Sequence, residues 1–158
     1  MSSQAFETHD HGSCIAEGVE AAASYCADRK LQFTKTRQRV LEILLSEHKA
    51  IGAYEILDIL RAEGLGSQPP VAYRALEFLT AHGFAHRIER LNAFIACTHF
   101  TGGHTPVFLI CRSCDRVVEA GSDPTRGELG RAASEAGFVI ERAVREAEGL
   151  CPNCVDAA

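Results

Sequence analysis

Two Cys-x-x-Cys pairs restrict the fold of this chain more than any other feature. Cys111-Arg112-Ser113-Cys114 and Cys151-Pro152-Asn153-Cys154 are separated by 36 residues, Asp115 to Leu150. Two thiolates at i and i+3 on a knuckle turn can grip one tetrahedral ion, and a second knuckle completes a four-thiolate site. Such a site ties the first strand of a short segment to the chain's C-terminal end. The segment it encloses has a small core, and cores of that size rarely hold without a metal, a disulfide or a partner subunit. Cys111, Cys114, Cys151 and Cys154 are therefore expected to hold a structural Zn2+.

Competing thiol chemistries fit less well. The chain has seven cysteines, an odd number that cannot pair fully within one molecule. Met1–Asp10 shows neither a basic n-region nor an apolar h-region, so a cytoplasmic, reducing setting is expected, where thiols serve metals or redox chemistry. A thioredoxin-like motif opens a helix after a strand, whereas Cys154 lies near the end of the sequence. Zinc deaminases need His-x-Glu upstream, and no histidine here has glutamate two places on. Four thiolates also leave no open coordination position, so no enzyme activity is expected. A thiol-based peroxide switch, and a thiol-disulfide or zinc-carrier protein without DNA binding, stay open as alternatives.

The rest of the chain reads as α+β. With 46% apolar residues it is globular in composition, and no apolar run nears the roughly 18 residues of a membrane span. Residues 1–14 read as a flexible tail. Ile15, Val19, Ala22, Ala23 and Cys26 predict a first helix to about Arg29. Thr34 or Thr36 can cap a second, carrying Val40, Leu41, Leu44 and Leu45. A third runs from about Ala53 to Glu63, and Ser67-Gln68-Pro69-Pro70 reads as a break before a fourth, Val71 to His82, with Gly83 at its C′ position. A hairpin follows: Phe84–Arg90, a Leu91-Asn92 turn, then Ala93–Cys97. This is the order of a winged helix-turn-helix domain over residues 15–97. A hinge is expected over 98–106, then a small α/β domain over 107–158 with strands at 107–111, 117–120 and about 138–146 and a helix over 124–136.

Two further sets of residues carry chemistry. Residues 29–39 hold five basic side chains and no acidic one, although the net charge is -5. Such a run is either a solvated helix face or a phosphate-contacting patch, whose field acts within about one Debye length, ~8 Å. His86, Cys97, His99, His104 and Glu119 are the remaining metal-ligand candidates. Taken together, His86, Cys97, His104 and Glu119 supply two nitrogens, one sulfur and one oxygen from both sides of the hinge. That set suits Zn2+, and the thiolate disfavours Mn2+ or Mg2+.

On these residues the chain resembles the ferric uptake regulator (Fur) family and, within it, the zinc uptake regulator (Zur) branch. The resemblance runs from about Ala22 to Val155. It rests on Thr34-Lys35-Thr36-Arg37, on Pro69-Pro70-Val71-Ala72-Tyr73-Arg74-Ala75-Leu76, on Gly83-Phe84-Ala85-His86 and on both cysteine pairs. It implies a zinc-responsive transcriptional repressor that binds double-stranded operator DNA as a homodimer and represses zinc-uptake genes. No membrane and no small-molecule substrate are implied. The fourth helix would be the recognition helix, with Tyr73 and Arg74 facing DNA and Lys35 and Arg37 positioning its backbone. Where the family carries Thr-Val-Tyr-Arg this chain has Val71-Ala72-Tyr73-Arg74, which lacks the hydroxyl cap.

The resemblance also places the regulatory Zn2+ on His86, Cys97, His104 and Glu119, giving two ions per subunit, one structural and one regulatory. Iron- or peroxide-sensing relatives carry a histidine-rich stretch before the first cysteine pair and no sulfur ligand. Sensing of iron or peroxide is the alternative within the same fold. His99 is either a neighbour of the regulatory site or a surface residue. Cys14 reads as a tail thiol, Cys26 as a buried helix thiol, and His9, His11, His48 and His82 as solvent-facing.

Overall fold

A computed structural model describes residues 11–47, 49–98, 105–122 and 126–157. The chain divides into two compact units, residues 1–100 and 101–158. His9, His48, His99 and His104, and most of the expected hinge, lie outside the described residues. Among the described residues no helix is long and apolar enough to cross a membrane.

The first unit is a four-helix winged helix. Helices α1 (His11–Asp28), α2 (Lys35–Leu45), α3 (Ala53–Ala62) and α4 (Pro69–Ala81) precede strands β1 (Ala85–Ile88) and β2 (Ala93–Ala96). Thr34, not Thr36, caps α2: its hydroxyl accepts from the Arg37 N–H at 3.3 Å. The apolar stripes meet in one core of Ala22, Cys26, Val40, Leu41, Leu44, Ile56, Leu57, Leu60, Leu76, Leu79 and Phe84. Gly83, at φ +78°, lets the Phe84 N–H turn back to the Leu79 carbonyl at 2.8 Å. That turn drives Phe84 into the core and launches the wing. Ile51 and Phe94 exchange hydrogen bonds of 2.8 Å in both directions, tying the α2–α3 connection to the wing.

Three expectations for this unit change. Helix α1 starts at His11, inside the expected tail, because adding one turn to a nucleated helix costs little. Pro69 and Pro70 open α4 rather than break the chain before it. Proline suits the first helical positions, where its missing N–H would have no intrahelical partner anyway. The wing loop spans four residues, 89–92, because Leu91-Asn92 lacks the glycine a two-residue turn favours; only Asn92 turns left-handed, at φ 47°.

In the second unit β3 (Thr105–Cys111) pairs antiparallel with β4 (Val117–Ser122) and parallel with β5 (Arg145–Gly149), giving the order β4-β3-β5. Helix α5 (Gly127–Glu135) precedes β5, and the short α6 (Pro152–Val155) closes the unit. The final strand lies later than the 138–146 expected. Phe138-Val139-Ile140 is apolar but unpaired: Phe138 is 67% and Val139 80% exposed, while Arg145–Gly149 takes the ladder beside β3. Among the described residues the buried side chains here are Phe108, Ile110, Cys111, Val117 and Cys151, and α5 buries none. So few apolar groups cannot offset the entropy of ordering such a unit alone.

Candidate functional site

The β3–β5 ladder brings the two cysteine pairs together. Register places Cys111 opposite Gly149, two residues before Cys151. The first knuckle folds back through Asp115 N–H to Cys111 O (3.0 Å), with Asp115 at φ 60°, and Arg112 N–H binds Gly149 O at 2.9 Å. Cys151 caps α6, so Cys154 returns on its first turn. Ligand atoms of Cys111, Cys114, Cys151 and Cys154 lie within 4.8 Å of one another, and Cys114 Sγ is 3.8 Å from Cys151 Sγ. A tetrahedron with Zn–S bonds of about 2.3 Å has edges of about 3.8 Å, so this donor set fits Zn2+.

The protonation chemistry points the same way. Backbone N–H groups, that of Cys151 first at 3.4 Å, hold the Cys111 thiol down to about 6. Its hydrogen bond with Cys151 pushes the Cys154 thiol up to about 12. One proton leaves this cluster readily and another is retained until a cation replaces it. Ser113, which composition and spacing do not mark as functional, helps lower both thiols, by its backbone at Cys111 and by its side chain at Cys154. Its position inside the Cys-x-x-Cys turn, where backbone N–H groups face sulfur, was the available signal. Because protons compete with the ion for the four thiolates, zinc retention should weaken as the pH falls. Zinc release to a chromogenic chelator across pH 5–8 checks this; release that does not rise on acidification would contradict it.

In the first unit the wing joins His86 and Cys97. His86 stands on β1 opposite Ile95, and the Cys97 N–H, just past β2, donates to Phe84 O at 2.9 Å. The hairpin thereby brings ligand atoms of His86 and Cys97 within 4.8 Å. Cys97 is fully buried and His86 Nε2 is shielded from solvent. Glu119 stands on β4 of the second unit opposite Phe108, and His104 lies outside the described residues.

Helix α4 presents a polar face. Ala72, Ala75, Leu76 and Leu79 are buried, leaving Tyr73, 44% exposed, and Arg74 outward. The basic run of 29–39 is largely engaged within the unit. Arg39 bridges Glu63 at 2.7 Å and Glu42 at 3.2 Å, holding Glu63 below the usual carboxylate range. Arg29 lies 3.7 Å over the Tyr25 ring. Arg37 lies 3.8 Å over Phe78 of α4 and donates to the Gln32 carbonyl. Lys30 and Lys35 are exposed. His82, expected to face solvent, instead packs edge-on to Tyr25 (5.8 Å) and against Phe78 (4.6 Å), with Nδ1 3.5 Å from the Tyr25 hydroxyl. The cause is the α4 C-terminus, which delivers it against α1. Cys14 belongs to α1 rather than to a tail, and Cys26 is buried as expected; burial raises its thiol pKa.

A helix-turn-helix with a wing, in one chain with a small sheet stapled by four thiols, defines a metal-linked winged-helix regulator. The chain belongs to the ferric uptake regulator family, whose model matches residues 28–144. It is 36% identical to the zinc uptake regulation protein of Escherichia coli (strain K12) over 89% of this chain and 82% of that one. Among solved structures it is similar to a zinc uptake regulator complexed with zinc and DNA (35% identity, TM-score 0.84, covering 90% of this chain and 96% of that one). It is also similar to holo XcZur (38% identity, TM-score 0.78, covering 89% and 97%).

Proposed function

We propose that this chain is a zinc-responsive transcriptional repressor, acting in the cytoplasm on operator DNA as a zinc-loaded homodimer and repressing zinc-uptake genes. The observation that carries this reading is the buried Cys97 thiol beside His86 on the wing of a DNA-binding unit. Sulfur in the ligand set selects zinc over harder ions, and the relatives named above are zinc uptake regulators. Two ions per subunit follow from two donor sets. Cys111, Cys114, Cys151 and Cys154 would hold the structural one. His86, Cys97, His104 and Glu119 would hold the regulatory one.

The regulatory set is divided between the two units: His86 and Cys97 belong to one, Glu119 to the other. An ion held by all four would link metal occupancy to the arrangement of the units. The uncovered apolar side chains Leu129, Phe138 and Val139 of the second unit suit a second copy as partner. In the dimer two α4 helices would enter successive major grooves about 34 Å apart. Tyr73 and Arg74 would read base edges, while Lys35 and Arg37 position the phosphate backbone.

Arg74→Ala should weaken binding to the specific operator by about 10- to 100-fold while leaving zinc content unchanged, since one good bidentate base contact contributes ~1–3 kcal/mol. Anisotropy of labelled operator, with chelated protein reloaded separately with zinc, iron or manganese, measures it. Recovery with iron but not zinc would overturn the zinc assignment. An Arg74→Ala protein that binds its operator like the wild type would overturn the role of α4.

A further inference from the structure

Beyond Tyr73 and Arg74, the outward face of α4 carries one acidic side chain. Exposed Pro70, Tyr73, Arg74, Glu77 and Ala81 follow helical spacing, and Glu77 lies one turn beyond Tyr73 and three residues beyond Arg74. Glu42, Glu63 and Asp58 of the neighbouring elements are each held by an arginine; among the described residues Glu77 enters no ion pair. A carboxylate carried towards DNA is repelled by phosphates and must find a donor among the bases to offset that. The major groove offers donors only at cytosine N4 and adenine N6. Adenine sets its N7 acceptor beside N6, which suits an amide able to donate and repels a carboxylate; cytosine has no such neighbour. Resting on the reading of α4 as the DNA-facing helix, the geometry points to Glu77 as a specificity-determining residue that accepts a hydrogen bond from cytosine N4. Three residues rise about 4.5 Å along the helix, against about 3.4 Å per base step. For a helix lying along the groove the cytosine would fall about one step from the base pair that Arg74 reads.

The test is enrichment of binding sites from a randomised duplex library by the zinc-loaded, full-length protein and three variants. Wild type should select C·G at one position per half-site, preferred over T·A by about tenfold or more. Glu77→Ala should lose the preference at that position alone. Glu77→Gln should move it to A·T, because glutamine pairs bidentately with adenine. Arg74→Ala should lose a different, adjacent position. Identical site profiles for wild type and both Glu77 variants, with an altered Arg74→Ala profile, would overturn the role of Glu77 alone. Unchanged profiles for all three variants would overturn the DNA-facing role of α4 together with it.

Discussion

Full-length protein carrying Cys111→Ser should lose its tightly held zinc and leave residues 105–157 without a stable fold. Among the described residues the second unit buries only Phe108, Ile110 and Val117 besides two of its cysteines, and α5 contributes nothing to that core. What orders it is the ladder β4-β3-β5 and the knuckles clamped at its end. Structural zinc sites of this kind contribute on the order of 10–16 kcal/mol to folding, as much as the whole net stability of a typical domain. Serine removes the sulfur that accepts from the Cys151 N–H at 3.4 Å and that backbone N–H groups hold below the usual thiol range. The helical unit has its own core and should persist. The expected result is partial loss of the far-ultraviolet dichroism, tryptic cleavage confined to the region after residue 104, zinc content near zero and a monomer by sedimentation. A dimeric, protease-resistant variant retaining zinc would remove the staple role of the cysteines.

That staple was legible in the sequence because its grammar is local: each knuckle is four residues long and needs thiolates at i and i+3. The helices were legible for the same reason, since Leu41, Leu44, Leu57, Leu60, Leu76 and Leu79 repeat at the period of the buried face. Where pairing between distant segments decides, the sequence misleads. Phe138-Val139-Ile140 has the composition of a strand, yet β3 takes Arg145–Gly149 as its parallel neighbour, which sets Cys111 opposite Gly149, two residues before Cys151. The fate of the basic run was hidden likewise. Only the folded chain shows Arg39 bound to Glu63, 24 residues on, and Arg37 stacked on Phe78. His82 has the sequence signature of a surface histidine, because nothing local announces that α4 ends against Tyr25. The pairing of His86 with Cys97 follows from hairpin register alone, and needed only the correct length of the wing.

Cys97→Ala should abolish zinc-dependent operator binding while leaving a folded dimer with one tight zinc per chain. The substitution deletes a single buried sulfur from a residue outside the main helical core cluster, so that core loses little. The proposed regulatory set, by contrast, would lose its only thiolate, and with it the softness that selects zinc. Coupling between sites typically amounts to 1–3 kcal/mol, so its removal should weaken operator binding by on the order of 100-fold at saturating zinc. Basal, zinc-independent affinity should not change, because Tyr73, Arg74, Lys35 and the α4 surface are untouched. Titration of labelled operator at buffered zinc concentrations separates the two quantities, and mass spectrometry under native conditions counts the ion that remains. Cys14→Ala, which alters a half-buried thiol on α1, should behave as wild type in both assays. Normal zinc-dependent binding by Cys97→Ala would mean that the wing thiol is merely a small buried side chain and that zinc acts elsewhere in the molecule.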